Sequence, residues 1–369
     1  MAYTAVKGGQ AAIAAAEALT LDRARADAIP AAVIERAQRL LVDQVMGEGG
    51  LYAPSLAAKA IAQAEGDPIE AAFLVRAYRS TLPRLGYSLP SDGVDLRILR
   101  RISSAFKEIV GGQVLGRTRD YTQRLLDLDC GVRVGKASSP FEMRNQPRFP
   151  KVVDELRAEG LIARTTVRPD QDPFDVTREA PRFPAPRSAR LQMLARGETG
   201  FLVAMAFSSL RGFGAAHPTI AELRFGDLPV RIVHPLTGEP VSIGAIAMTE
   251  VEGVNHAETG VGGGGHANLE REESQKGMIL GYGATFGQNE RKAIAMSILD
   301  MGLNIPGNSG PAADEEFVLQ HCDAVESSGF VEHLKLPHYV TFQSQLERMR
   351  FSRFAQLSAR AKAAKASRL

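Results

Sequence analysis

The chain has 369 residues, of which 44% are hydrophobic and 23% charged, a composition typical of a soluble globular protein with a substantial core. Its 44 basic and 42 acidic residues leave a net charge of +2, which excludes a global electrostatic preference for nucleic acid. Only two cysteines are present, Cys130 and Cys322, which excludes a disulfide framework and a self-contained Cys-rich zinc site. The N-terminal region shows no signal peptide or membrane span, so we expect a cytoplasmic protein.

The first part of the chain, residues 1–135, is predicted to be a helical domain. Apolar residues recur at helical spacing over 30–46, 55–64, 68–79 and 94–110. The last of these segments carries basic residues away from its apolar stripe, namely Arg97, Arg100, Arg101 and Lys107. A solvated helix face explains these residues, and a surface for a partner or a polyphosphate is the alternative.

Residues 136–187 contain eight of the twenty prolines and are predicted to form an irregular arm or linker. A short helix is expected over 151–160. Packing of this arm on another subunit and an exposed linker both agree with the composition.

The pattern changes to strands near residue 188. We predict a buried strand over 200–207 and further strands over 221–225, 230–234 and 241–250. The region 188–345 is therefore interpreted as a β-rich catalytic and metal-interface domain, followed by a basic helical tail over 346–369. Together with the helical N-terminal region and the proline-rich arm, this predicts an α+β fold.

Carboxylates and imidazoles surround a glycine-rich stretch that begins near residue 250. Cleavage of a glycosidic bond needs an acid for the leaving group and an anion near the oxocarbenium ion. The candidate catalytic residues are Glu250, Glu252, His256 and Glu258. A mobile loop with solvated acids explains the same composition without chemistry, and a glycine-rich lid that closes over a substrate is the functional alternative.

A second glycine-rich segment, GYGATFGQNERK, leads into a helix predicted over 290–301. A glycine-rich turn before a helix exposes N–H groups to an anion, and basic side chains would add charge. The candidate triphosphate-binding residues are Gly281, Gly283, Gly287, Arg291 and Lys292. A tight strand-to-helix turn without a ligand is the alternative.

The segment from Asp314 to residue 342 begins with a predicted N-cap and a short helix that we expect to end at Gly329. His333 and His338 then bracket Leu-Lys-Leu-Pro, a bent segment that could direct both imidazoles at one point.

Two histidines are too few for zinc, which takes about four ligands. His321 and Cys322 could complete the set, although both lie in the helix stripe and are more simply core residues.

Several blocks of the sequence resemble one family. From residue 5 to about residue 343, and in the family's order, the chain resembles the PhnI subunit of the bacterial carbon–phosphorus lyase core complex. The blocks that carry this resemblance are AVKGG, FLVRAYRSTLPRL, RRISSAFKEIVGGQVLG with DYTQRLLD, LARGETG, GYGATFGQNERKA and FVLQHCDAVESSGFVEHLKLPHYVTFQ.

The resemblance implies an enzyme of phosphonate degradation. With PhnG, PhnH and PhnL, such a subunit displaces adenine from ATP with a phosphonate, which gives α-D-ribose 1-methylphosphonate 5-triphosphate. Alone, it is expected to act as a nucleosidase. The resemblance further implies a dimer of heterotetramers that includes PhnJ, with no nucleic-acid or membrane partner.

The resemblance also implies that His333 and His338 bind a zinc ion at the contact with PhnJ, which supplies the missing ligands. It implies no particular catalytic acid. A scaffold subunit that mainly provides half of an intersubunit zinc site is the alternative function.

Overall fold

A computed structural model describes residues 9–26, 29–126, 128, 148–162, 172–213, 218–256, 277–305 and 308–366. The chain forms two compact units, one made of Met1–Leu19 with Glu326–Leu369 and the other of Thr20–Val325. The described residues contain twelve α-helices and one antiparallel sheet of four strands, so the α+β prediction is confirmed.

The N-terminal helices are α1 to α5, which span Gly9–Ala26, Ala31–Ala37, Arg39–Gly49, Pro54–Gln63 and Pro68–Thr81. The single helix expected over 30–46 is two helices, because Gln38 leaves the helical conformation at φ −108° and ψ 36°. Gly50, at φ +65°, ends α3 in the left-handed conformation. Asp67 caps α5 by accepting bonds from the N–H groups of Ile69 and Glu70. Buried side chains of α2 to α5 pack together in one apolar cluster.

The helix predicted over 94–110 is wrong. A short 3-10 turn, Gly93–Asp95, is followed by strand β1, Arg97–Ile102. Arg100 and Arg101 are 1% and 0% exposed, so the solvated-face interpretation is wrong for both. Pairing with a distant strand and with distant carboxylates overrides the local pattern, and this information is absent from the segment itself.

The sheet has the order β1-β2-β3-β4, with β2 at Thr219–Val233, β3 at Pro240–His256 and β4 at Met278–Phe286. The candidate strands 221–225 and 230–234 are one continuous strand, and the strand expected over 241–250 extends to residue 256. The β2–β3 turn is closed by His234, whose N–H donates to the carbonyl of Glu239 at 2.9 Å.

The buried strand predicted over 200–207 is also wrong, because this run forms helix α8, Thr199–Ser208. A short apolar run does not distinguish a buried strand from a buried helix. Glu198 decides the outcome as the N-cap, since its carboxylate accepts from the N–H groups of Gly200 and Phe201. The remaining helices of the Thr20–Val325 unit that lie wholly within it are α6, α7, α9 and α10, at Val152–Ala158, Arg187–Arg196, Glu290–Asn304 and Glu315–His321.

Helix α9 packs against one face of the sheet at unusually close range. An ideal Cβ on Gly281 would overlap the carbonyl oxygen of Ser297, and one on Gly283 would overlap that of Ala293. Only glycine permits this approach. Leu223 and Val251 of the sheet pack against Ala293 of α9 on this face.

The C-terminal helices are α11 at Ala324–Glu332 and α12 at Tyr339–Ala366. Gly329 lies inside α11, so the predicted helix end there is wrong, while α12 contains most of the helical tail predicted over 346–369. No helix in the described ranges is both long enough and apolar enough to cross a bilayer.

Candidate active site

Two buried carboxylates lie on the face of the sheet that points away from α9. Glu250 and Glu252 are alternate residues of β3, so their side chains share one face, whereas Val251 between them packs toward Ala293 of α9. The two glutamates are only 3% and 4% exposed. Buried carboxylates need charged or hydrogen-bonding partners, and the neighbouring elements supply them.

Lys151 bridges the two carboxylates. Its Nζ lies 2.9 Å from Glu250 Oε1 and 3.3 Å from Glu252 Oε1. On the neighbouring strand, Tyr282 donates its hydroxyl hydrogen to Glu250 Oε1 at 2.9 Å. The second oxygen of Glu250 lies against Gly93 and has no hydrogen-bond partner among the described residues. That oxygen is buried as well as unpartnered.

The position of Lys151 follows from the residues around it. Arg224 and Arg101 donate to the carbonyl oxygen of Pro150 at 2.7 and 2.9 Å. The N–H of Val152 donates to Glu222 Oε2 at 3.1 Å. Apolar residues of α6 then pack on the sheet: Val152, Val153 and Leu156 against Ala221 and Val254. The described part of the arm around Lys151 therefore packs on this chain's own sheet.

The surroundings raise the pKa of Glu252 toward neutrality. Burial raises the pKa of Glu252 to about 7, with the charge of Glu250 adding to the rise and Lys151 opposing it. Although burial acts to lower it, the pKa of Lys151 is raised by Glu250 and Glu252, so this ammonium stays charged. Burial and then Glu250 raise the pKa of Tyr282, which keeps its hydroxyl protonated. A carboxylic acid with a pKa near 7 suits general acid catalysis at neutral pH.

These groups open into a cavity of about 520 Å³, a volume within the usual range for small-molecule sites. Four acidic and four basic side chains line it: Asp92, Asp95, Glu250 and Glu252, with Lys151, Arg157, Arg187 and Arg231. The cavity therefore combines an acid for a leaving group with cations that can hold phosphate oxygens.

The basic residues are anchored at different points of the cavity wall. Arg187 donates to Asp300 Oδ1 at 3.1 Å, and Asp300 Oδ2 accepts from the N–H of Tyr282 at 2.9 Å. Arg231 pairs with Asp95 at 3.2 Å. Arg157 is about half exposed at 48%, and its one ion pair with a described residue is the weak surface pair with Asp154 of its own helix, so it can reorient toward a ligand.

The other predicted catalytic residues are not brought into this group by the described structure. His256 ends β3 opposite Met278, and its side chain lies outside the described residues. Glu258 and the glycine stretch that follows it also lie outside them.

The predicted triphosphate-binding residues are placed elsewhere. Gly281 and Gly283 contact α9, and Gly287, at φ +68°, lies against Asp43, which accepts from the N–H of Gln288 at 3.0 Å. A carboxylate thus occupies the position where an anion was expected. Arg291 is exposed, whereas Lys292 is 0% exposed and lines neither of the cavities described in this chain.

The histidine pair lies in the unit made of Met1–Leu19 with Glu326–Leu369. His333 begins a short 3-10 turn, and the two ring centroids are 5.2 Å apart. The Nδ1 of His333 contacts the carbonyl of Phe330, and that of His338 contacts the carbonyl of Leu336 at 2.6 Å. These contacts hold the Nδ1 hydrogens and leave both Nε2 lone pairs free, the arrangement found in metal-binding histidines.

The pair has only two ligands of its own. Within the part of the chain that the structure describes, no third His, Cys, Asp or Glu joins them in a metal-binding group. Cys322 is 1% exposed in the core, and burial raises the pKa of its thiol to about 12. It is a core residue as expected, whereas His321 is exposed and the core interpretation is wrong for it. The residues fit half of a zinc site.

Sequence reasoning missed Lys151, Tyr282, Arg187 and Arg231. One signal for Tyr282 was available in the sequence. Gly281 and Gly283 flank it, and if these glycines face a packed helix, a strand places Tyr282 on the other face of the sheet. Lys151 had no such signal, since it lies 99 residues from Glu250.

Comparisons with known proteins agree with one another. A family model described as Bacterial phosphonate metabolism protein (PhnI) matches residues 2–356. The chain is 48% identical to HtxH of Stutzerimonas stutzeri over 373 residues, which cover 95% of each chain. That relative is named as a candidate C-P lyase subunit protein.

Two further relatives share one name, alpha-D-ribose 1-methylphosphonate 5-triphosphate synthase subunit PhnI. The protein of Rhizobium meliloti is 44% identical over 359 residues, with 94% of each chain covered. That of Escherichia coli is 45% identical over 353 residues, which cover 94% of this chain and 96% of the relative.

Proposed function

This chain belongs to the PhnI family of bacterial phosphonate metabolism proteins, and on that premise we propose that it is a carbon–phosphorus lyase subunit that replaces the adenine of ATP with a phosphonate. The match over residues 2–356 confirms the resemblance that the sequence blocks indicated. Two relatives are named as synthase subunits for the product of this glycosyl transfer.

The proposed reaction breaks the bond between C1′ and the adenine nitrogen and forms a bond from C1′ to a phosphonate oxygen. Glu252 gives its proton to the departing adenine, while the carboxylate of Glu250 stabilises the positive charge that develops at the ribose. The hydrogen carried by the phosphonate monoanion passes through solvent to Glu252 and restores the acid. When water replaces the phosphonate, the same steps give adenine and ribose 5-triphosphate, the nucleosidase reaction.

The observation that carries this proposal is the acid of Glu252, with a pKa of about 7, in a 520 Å³ cavity that basic residues line. Arg157, Arg187 and Arg231 are the groups available to the triphosphate. They take the role that the sequence assigned to Arg291 and Lys292, which the described structure places away from this cavity.

The test is adenine release from ATP by the chain combined with PhnG, PhnH and PhnL, the proposed partners. Glu252→Gln keeps the shape of the side chain and removes its acid, so we expect at least a hundredfold slower release, within the usual contribution of general acid catalysis of about 10² to 10⁴. Glu239→Gln, on an exposed turn, is the control. A folded Glu252→Gln protein that releases adenine at the wild-type rate would refute the assignment.

We propose a second role for the chain, which rests on the geometry of the histidine pair. His333 and His338 would hold one side of a zinc ion whose other ligands come from PhnJ, within a dimer of heterotetramers. A zinc ion in that position would act as a link between the two subunits.

His333→Ala tests this role. We expect zinc to be retained by the mixture of the wild-type chain and PhnJ but not by the variant mixture, with adenine release unchanged. Stoichiometric zinc in the isolated wild-type chain, or in the variant mixture, would contradict a shared site.

A further inference from the structure

A second cavity of about 310 Å³ lies in the Thr20–Val325 unit and shares no lining residue with the first. Its wall is formed by the end of α3, by α5, by α7 and by β4. Apolar side chains make up a large part of this wall: Val176, Ala195, Met248, Ala284 and Phe286. The proposed glycosyl transfer does not use this cavity.

All charged side chains that line the second cavity are basic, namely Arg79, Arg84 and Arg196. Arg84 is paired with Asp175. In the described ranges, neither Arg79 nor Arg196 has a carboxylate within 4.0 Å; Arg79 instead donates to the carbonyl of Gly50 at 3.4 Å. Burial lowers the pKa of both residues and neighbouring arginines lower it further, whereas Asp175 partly offsets the shift at Arg79 and Asp323 partly offsets it at Arg196. Two half-buried guanidinium groups thus face one cavity without a carboxylate in direct ion-pair contact among the described residues.

Buried donors without acceptors surround the same space. Thr285, which lines the cavity, is 4% exposed, and among the described residues neither its Oγ1 nor the Nε of Arg196 has a hydrogen-bond partner. Lys292 lies behind this wall, since an ideal Cβ on Gly47 would be 3.2 Å from Thr285 Oγ1 and 3.5 Å from Lys292 Nζ. Among the described residues that Nζ likewise has no hydrogen-bond partner, although Glu48 offsets part of its charge, and it is enclosed behind the wall. Two unpartnered donors on the wall of one cavity, Thr285 Oγ1 and Arg196 Nε, are unusual in a folded protein, and a bound anion would satisfy them.

We propose that this cavity binds a tetrahedral phosphorus oxyanion, held by the guanidinium groups of Arg79 and Arg196 and by the hydroxyl of Thr285. The apolar wall suits a short alkyl group on the phosphorus atom, so a small alkylphosphonate fits better than inorganic phosphate. The choice of an alkylphosphonate rests on the proposed function, whereas the oxyanion site rests on the orphaned donors and the unpaired arginines. The phosphate end of ATP has the same chemistry and is the alternative source.

The test is calorimetric titration of the full chain with methylphosphonate, inorganic phosphate and ATP, each alone, in a buffer without phosphate or sulfate. We expect methylphosphonate to bind, and Arg196→Gln and Thr285→Val each to weaken it by about tenfold or more, as for loss of a hydrogen bond to a charged group. Arg36→Gln, which changes an exposed arginine, should bind as the wild type does. Tighter binding of ATP that the same two variants weaken would identify the nucleotide as the source of the oxyanion.

Thr285→Val keeps the proposal testable if Arg196→Gln fails to fold, because it keeps the volume of the side chain and breaks no hydrogen bond of the free protein. Absence of binding by all three probes, or binding that neither variant weakens, would overturn the site. Failure of the proposed function is distinguishable, because Glu252→Gln should bind methylphosphonate normally while it loses adenine release.

Discussion

Replacement of Glu252 by Gln should change the way in which stability depends on pH. The pKa of Glu252 rises from 4.5 to about 7 on folding, because burial disfavours the charged carboxylate. The folded state therefore binds more protons than the unfolded state between these values, so the stability that Glu252 contributes is fully present below pH 4.5 and is lost as pH rises through 7. At roughly 1.4 kcal/mol per pH unit, the loss amounts to about 3 kcal/mol.

Glutamine does not titrate, so Glu252→Gln should lack this loss. We expect the free energy of unfolding of the variant to increase by about 3 kcal/mol relative to that of the wild type between pH 4.5 and pH 8, so that the variant becomes relatively more stable. The measurement is urea denaturation followed by circular dichroism at several pH values, with Glu239→Gln as the exposed control. A wild type and a variant whose stabilities change in parallel over this range would show that Glu252 has an ordinary pKa, and the assignment of the general acid would fail.

Three further substitutions test the surroundings of the site. Lys151→Met leaves two buried carboxylates without their cation and should cost about 3–5 kcal/mol in urea denaturation, whereas the exposed Lys107→Met should cost little. Gly283→Ala places a Cβ against the carbonyl of Ala293 and should cost about 1–3 kcal/mol of stability. Its control is Gly86→Ala, because nothing lies within 4 Å of a Cβ at that position. Equal melting temperatures of the Gly283→Ala variant and the wild type would contradict the close packing of α9. Tyr282→Phe removes one hydrogen bond to Glu250 and should slow adenine release by up to about tenfold in a folded protein, while an unchanged rate would place Tyr282 outside the reaction.

Local sequence signals were sufficient to predict a helix where the segment has its own capping residue and a regular apolar stripe. The helices predicted over 68–79 and 290–301 are present as α5 and α9, each with a capping side chain, Asp67 or Asn289, at its start. The same reasoning failed for β1 and α8. β1 is held by pairing with β2, more than a hundred residues away, and the run that forms α8 is too uniformly apolar for its period to be read.

The residues of the candidate site were likewise predictable only in part from the sequence. The sequence by itself identified the family and pointed to Glu250 and Glu252, whose alternate positions place both side chains on one face of any strand that contains them. It could not place Lys151 between them, because that position depends on Arg101 and Arg224 binding the Pro150 carbonyl across the fold.

Only the tertiary structure separated the glycine-rich segment at residues 281–292 from the site. Gly281 and Gly283 serve close packing, and Lys292 is enclosed behind the wall of a different cavity. Burial, which is a property of the assembled fold, also raises the pKa of Glu252 to about 7. A pKa depends on the solvent and the charges around a group, and these are set by residues that are distant in the chain.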